Sequence, residues 1–120
     1  MWDTKVAVAY LDKHARSASQ GKCAAYVRKA IEAGGVRLHR HVSAKDYGES
    51  LIAAGFSVQD SSILNAGDVV VIQPITGHRH GHVAMYDGVK WVSDFKQRHG
   101  LYPSESYRRL KPAFTTCRHP

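Results

Sequence analysis

The sequence has 120 residues, and 17 Lys+Arg against 10 Asp+Glu give it a net charge of +7. That length suits one compact domain over residues 1–120, large enough to close a core without metal or disulfide staples. Hydrophobic residues at 43% and charged residues at 22% exclude a disordered or collagen-like chain.

No apolar run approaches the roughly 18–20 residues of a membrane span, so membrane insertion is not expected. An export signal needs about 7–15 apolar residues behind a basic start. Residues 6–11 are too short a run and follow Asp3, so no export signal is expected and the chain is expected to be made in the cytoplasm. Cys23 and Cys117 sit in dissimilar contexts and read as separate thiols. The positive balance favours an anionic partner: a nucleic acid, a charged envelope polymer or an acidic inhibitor protein.

In chain order, Val6, Tyr10, Leu11 and His14 follow helical spacing and predict a helix over residues 3–15. A small polar segment follows, and then Cys23, Val27, Ala30 and Ile31 share one helical face until Gly34-Gly35. The second predicted helix therefore carries Cys23 in its first turn. Ser43 with Asp46 three residues later resembles a capping box, opening a helix with Leu51, Ile52 and Ala54 that closes at Gly55. From Asn65 the pattern changes. Residues 68–72 read as a strand buried on both faces, and residues 81–86 as a second strand. Asp87-Gly88 signals a hairpin returning through residues 90–95. One or two more strands are expected between Tyr102 and Thr116, interrupted by Pro103 and Pro112. Helices followed by an antiparallel sheet make an α+β domain.

A thiol is a useful nucleophile as thiolate, and a helix's first turn favours that anion through unpaired N–H groups and the dipole. Cys23 is predicted to sit there. His82, opening a strand after a glycine-flanked loop, is placed to act as general base. A third group should accept the ring's other N–H, and the hairpin returns Ser93 and Asp94 alongside His82. A two-residue loop pairs position 82 with 93, and one more loop residue pairs it with 94. A carboxylate is the better acceptor for an imidazolium, so Asp94 is chosen and Ser93 stays open. No cofactor is implied.

Two other readings compete. His78, His80 and His82 alternate and would share a face on a strand, as ligands of a metal hydrolase do, but residues 74–80 read as loop and no metal site is expected. Arg108, Arg109 and Lys111 beside Tyr107 suggest a basic toxin acting on nucleic acid, yet no recognised motif accompanies them, and no nucleic-acid partner is expected.

Ser19-Gln-Gly-Lys-Cys-Ala-Ala-Tyr-Val-Arg28, Ala66-Gly-Asp-Val-Val-Val-Ile72, Gly81-His-Val-Ala-Met-Tyr-Asp-Gly88 and Trp91-Val-Ser-Asp-Phe-Lys-Gln97 together resemble the blocks of CHAP and NlpC-type cysteine peptidases. The resemblance covers about residues 15–100. It implies a papain-like fold and an amidase cutting the peptide stems or cross-links of bacterial peptidoglycan. The small form without export signal looks most like amidase effectors delivered by the type VI secretion system into the periplasm of a target cell, with phage lysin catalytic domains as near neighbours. It further implies that Cys23 attacks, His82 moves the proton and Asp94 holds the ring. The Cys23 N–H would be one oxyanion donor; Gln20 is not at the spacing of papain's oxyanion glutamine, and the second donor is not legible. An acidic immunity protein is the implied partner beside the peptidoglycan peptide.

Overall fold

The computed structural model describes residues 1–60 and 62–120. Helix α1 spans Thr4–His14, opened by Asp3, whose side chain accepts the Val6 N–H. Helix α2 spans Cys23–Ala33 and α3 spans Tyr47–Ala53 behind a 3-10 turn at Ala44–Asp46. The expected capping box at Ser43 does not form: Ser43 makes no side-chain cap, and its hydroxyl instead pairs with His80 at 2.5 Å.

The sheet consists of β1 (Ser57–Gln59), β2 (Val69–Ile72), β3 (His82–Tyr86), β4 (Trp91–Val92) and β5 (Phe114–Arg118), in the order β1-β5-β2-β3-β4 with antiparallel pairings throughout. The architecture is thus α+β, with helices packed on an antiparallel sheet. All four β2 residues are buried, as the continuous β-branched run predicts. The period-2 alternation of strands divides them between two cores. Val69 and Val71, with Val83 and Met85 of β3, meet Leu11, Val27 and Ile31 of the helices. Val70 and Ile72 face the other way, with Ala84, Trp91 and Tyr107.

Two expectations about the second half are corrected. Between Tyr102 and Thr116 lies helix α4 (Glu105–Leu110) ahead of β5. Ser104 caps α4 by accepting the Tyr107 N–H, and Lys111 closes it at φ +47 just before Pro112. The strand expected over residues 90–95 stops at Val92. Tyr86 pairs with Trp91 across residues 87–90, where the Asp87 carboxylate accepts the N–H groups of Val89 and Lys90 at 2.8 and 2.7 Å. A four-residue loop replaces the short turn because Asp87 caps it internally, and the counting that set residue 93 or 94 opposite 82 fails.

Candidate active site

Cys23 is the first residue of α2, as expected, but Lys22 before it makes no side-chain cap. The cap comes from across the fold. Asp94 Oδ2 accepts the backbone N–H of Gln20 at 2.7 Å and of Lys22 at 2.9 Å, and Ser93 Oγ donates to Asp94 Oδ1 at 3.2 Å. At 1% exposure, this carboxylate is a buried staple between the sheet's last turn and the loop that precedes Cys23. Such charge-assisted bonds to backbone N–H groups are stronger than neutral ones.

The ring of His82 is held by a different residue. His82 Nε2 and Gln97 Oε1 lie 2.8 Å apart, both side chains buried. Gln97 Nε2 donates to the carbonyls of Gly100 and Leu101, each at 2.9 Å, which leaves its oxygen to face the imidazole. An amide oxygen only accepts, so the proton sits on His82 Nε2 and Nδ1 keeps its lone pair. The expectation that Asp94 or Ser93 takes this N–H is corrected. After Val92 the chain bends through residues 93–95, and the Gln97 N–H returns to the carbonyl of Trp91 at 2.9 Å, bringing Gln97 beneath the ring.

Gly81 makes the approach to His82 possible. It adopts φ +70, and a Cβ there would stand 2.4 Å from the Ile72 carbonyl oxygen. Only glycine fits so close to the neighbouring strand in that conformation.

Burial pushes the Cys23 thiol above its ordinary value; the Asp94 charge adds to the rise, while the N–H groups of Val83, Ala24 and Cys23 itself oppose it. The helix start does favour the thiolate, as expected, but desolvation outweighs it. Burial also lowers His82 below 6.5, opposed by the Gln97 hydrogen bond and the Asp94 charge. Burial thus works against the charged form of both groups in the resting cleft.

Cys23, His82 and Asp94 line one open cleft of about 980 Å³, together with Tyr107 and the basic side chains Lys22, Arg28, Arg40 and Arg79. Arg28 is held in place by Glu32 at 2.9 Å. The other histidines have separate environments: His80 bonds Ser43, and the His78 ring lies 5.5 Å from that of Tyr107, tilted by 50°. Among the described residues no three His, Cys, Asp or Glu side chains converge on a point that could hold a metal ion. Tyr107 is buried against the sheet, so it is not presented for stacking on a base beside Arg108 and Arg109. Cys117 is a buried free thiol in β5 and does not line the cleft.

A thiol at a helix start, an imidazole on the adjoining antiparallel sheet and an amide oxygen fixing its tautomer define a papain-like cysteine hydrolase. The NlpC/P60 family model matches residues 13–115, and the chain belongs to that family. It is a hydrolase of the cysteine peptidase kind, a peptidoglycan amidase. A chain in the crystal structure of the type VI native effector–immunity complex Tae3–Tai3 from Ralstonia pickettii is 52% identical, with 99% of this chain and 100% of that one covered and a TM-score of 0.95. In the selenomethionine form of that complex the values are 55%, 93%, 98% and 0.89. The structure of Ly7917 shares the fold at 19% identity and a TM-score of 0.59, covering 97% of this chain and 62% of that one. No curated protein matches the chain.

Gln97 is the ring partner of His82 that sequence reasoning passed over. It closes the block containing Trp91 and Asp94, but an amide two residues beyond the strand expected over residues 90–95 gives no signal of its own.

Proposed function

We propose that this chain is a type VI effector amidase that cuts an amide bond of peptidoglycan stem peptides or cross-links through Cys23 and His82. His82 Nδ1 takes the thiol proton as Cys23 Sγ attacks the carbonyl carbon, and the Cys23 N–H donates to the carbonyl oxygen as it turns negative. The tetrahedral adduct collapses to a thioester while the ring's proton leaves with the amine. Water then attacks the thioester, with His82 again as base. Gln97 keeps the ring in the tautomer that can do this, and Asp94 is a positioning residue that holds the loop before Cys23. The hydrogen-bond chain from the carbonyls of Gly100 and Leu101 through Gln97 to His82 carries this reading, because it leaves the ring's basic nitrogen free.

The cleft's rim supports the choice of substrate and partner. Lys22, Arg40 and Arg79 line it, beside an Arg28 already engaged by Glu32, against one carboxylate, Asp94, among the described lining residues. Stem peptides bear free carboxylates, and such a rim attracts them. The Ralstonia relative is seen in an effector–immunity complex. An acidic immunity protein covering this cleft fits a chain of +7, with association slowed by added salt.

Expression in a bacterium in two compartments tests this. Directed to the periplasm, the wild type is expected to lyse the host, the Cys23→Ala variant to be harmless, and cytoplasmic wild type to be tolerated. Equal toxicity in the cytoplasm that persists in Cys23→Ala would overturn the reading and point to a cytosolic target.

A further inference from the structure

Tyr107 is 2% exposed, and its hydroxyl is buried with no hydrogen-bond partner among the described residues. Buried polar groups in folded proteins are overwhelmingly satisfied, and of the orphaned buried side-chain atoms among the described residues, those of Asp12, Tyr107 and Thr116, only that of Tyr107 belongs to a residue lining the cleft. Its position says where an acceptor would be. Tyr107 lines the same cleft as Cys23 and His82, on the face of the sheet that His82 shares with Ala84. Its ring centroid lies 6.2 Å from that of His82 and 5.5 Å from that of His78. The ring is fixed by Ile72, Ala84 and Trp91, and its backbone N–H by the Ser104 cap. The hydroxyl is thus held rigidly, as a preorganised donor must be.

We propose that the Tyr107 hydroxyl is the second oxyanion donor of the reaction, hydrogen-bonding the carbonyl oxygen of the scissile amide as Cys23 attacks. The proposal rests on the cysteine mechanism above. As the Sγ–C bond forms, the carbonyl π pair moves onto oxygen and the thiol proton goes to His82 Nδ1. Tyr107 keeps its own proton and shares it with the oxyanion. When the adduct collapses, the pair returns to re-form C=O, the C–N bond breaks, and the amine departs with the proton from His82. Burial, and after it the Cys23 charge, push the phenol up to about 12, so it stays a donor throughout the neutral range. A phenol whose hydroxyl has no acceptor in the resting cleft gains one only when substrate carbonyl enters, so its contribution falls on the transition state and not on folding.

Tyr107→Phe separates this role from a structural one. The variant removes an unpartnered oxygen and keeps the ring, so its thermal midpoint should match or exceed that of the wild type. With a purified muropeptide, kcat is expected to fall about 10²–10³-fold with KM little changed. A stem-peptide aldehyde, whose thiol adduct carries a comparable oxygen, should bind more weakly by a similar factor. Alkylation of Cys23 by iodoacetamide should proceed at the wild-type rate. A kcat within about threefold of wild type, in an enzyme still inactivated by alkylation of Cys23, would overturn the role of Tyr107 and leave the cysteine mechanism standing. Alkylation slowing in parallel with kcat would overturn it too, placing the hydroxyl on the sulfur. Activity surviving in Cys23→Ala would instead remove the mechanism on which the proposal rests.

Discussion

Asp94 and Gln97 hold the two halves of the proposed site separately. Asp94 accepts the two N–H groups that precede Cys23, and Gln97 accepts from the ring of His82. The two should fail differently. Asp94→Ala strands two donors, which costs about 1–3 kcal/mol each when they stay dry, so the melting temperature should drop along with activity. Gln97→Leu should lower kcat by at least about tenfold through loss of ring orientation. It should also move the acid limb of the pH profile to lower pH, because the Gln97 bond is the largest influence raising His82. Comparing melting curves and pH–rate profiles of the two variants checks this division; an unshifted limb in Gln97→Leu would contradict it. In the wild type the sign is fixed by burial. Acid protonates the imidazole and removes the base, and His82 lies below 6.5, so kcat/KM should hold as pH falls to 6.5 and decline only beneath it. A decline already complete at that pH would refute the account. The places of Cys23 and His82, at a helix start and at the head of a strand after a glycine loop, were legible in the sequence because both rest on local signals. The place of Gln97 was not, since it is brought to His82 by a bend at residues 93–95 that is held by long-range hydrogen bonds, from Gln20 and Lys22 to Asp94, which local sequence does not display.

At the level of elements, helices α1 and α2 and strands β2 and β3 follow from apolar periodicity, which local sequence displays directly. The errors lie where short-range chemistry competes with pattern. Helix α4 hides behind Pro103, with Ser104-Glu105 as its real start signal, and its six residues are too few for a periodic stripe. Strand β1 is three residues long with an exposed pattern, and only pairing with β5 at the end of the chain defines it. The loop at residues 87–90 has a further consequence, because the carboxyls of Asp87 and of Asp12 on α1 meet there. Burial, then the hydrogen bond and charge of Asp87, raise Asp12 to about 6. Asp87 is also opposed by burial, but the N–H groups of Lys90 and Val89 hold it below its ordinary value. A carboxyl raised on folding contributes stability that is full below 3.8 and lost as pH rises through about 6. Asp12→Asn should therefore raise the melting temperature at about pH 8 and lose that advantage near pH 4. Thermal melts at the two pH values measure it, and an advantage independent of pH would contradict the raised Asp12 carboxyl.

On the scale of the whole molecule, the order β1-β5-β2-β3-β4 sets the C-terminal strand inside the sheet, so the first and second halves of the chain close one structure around β2. Asp68, wholly buried just before β2, ties that arrangement by a two-pronged ion pair to Arg118 at 2.8 Å through each oxygen. The cleft opens where the α2 N-terminus meets the start of β3, and the basic rim surrounds that junction. No described helix is long and apolar enough to cross a membrane. The most direct test of the central claim is mass spectrometry of purified muropeptides after incubation with wild type, Cys23→Ala and His82→Ala proteins that melt alike. The account predicts new amine and carboxylate termini at one amide of the stem or cross-link with the wild type, and none with either variant. Cleavage by folded Cys23→Ala at a rate near that of the wild type would contradict it.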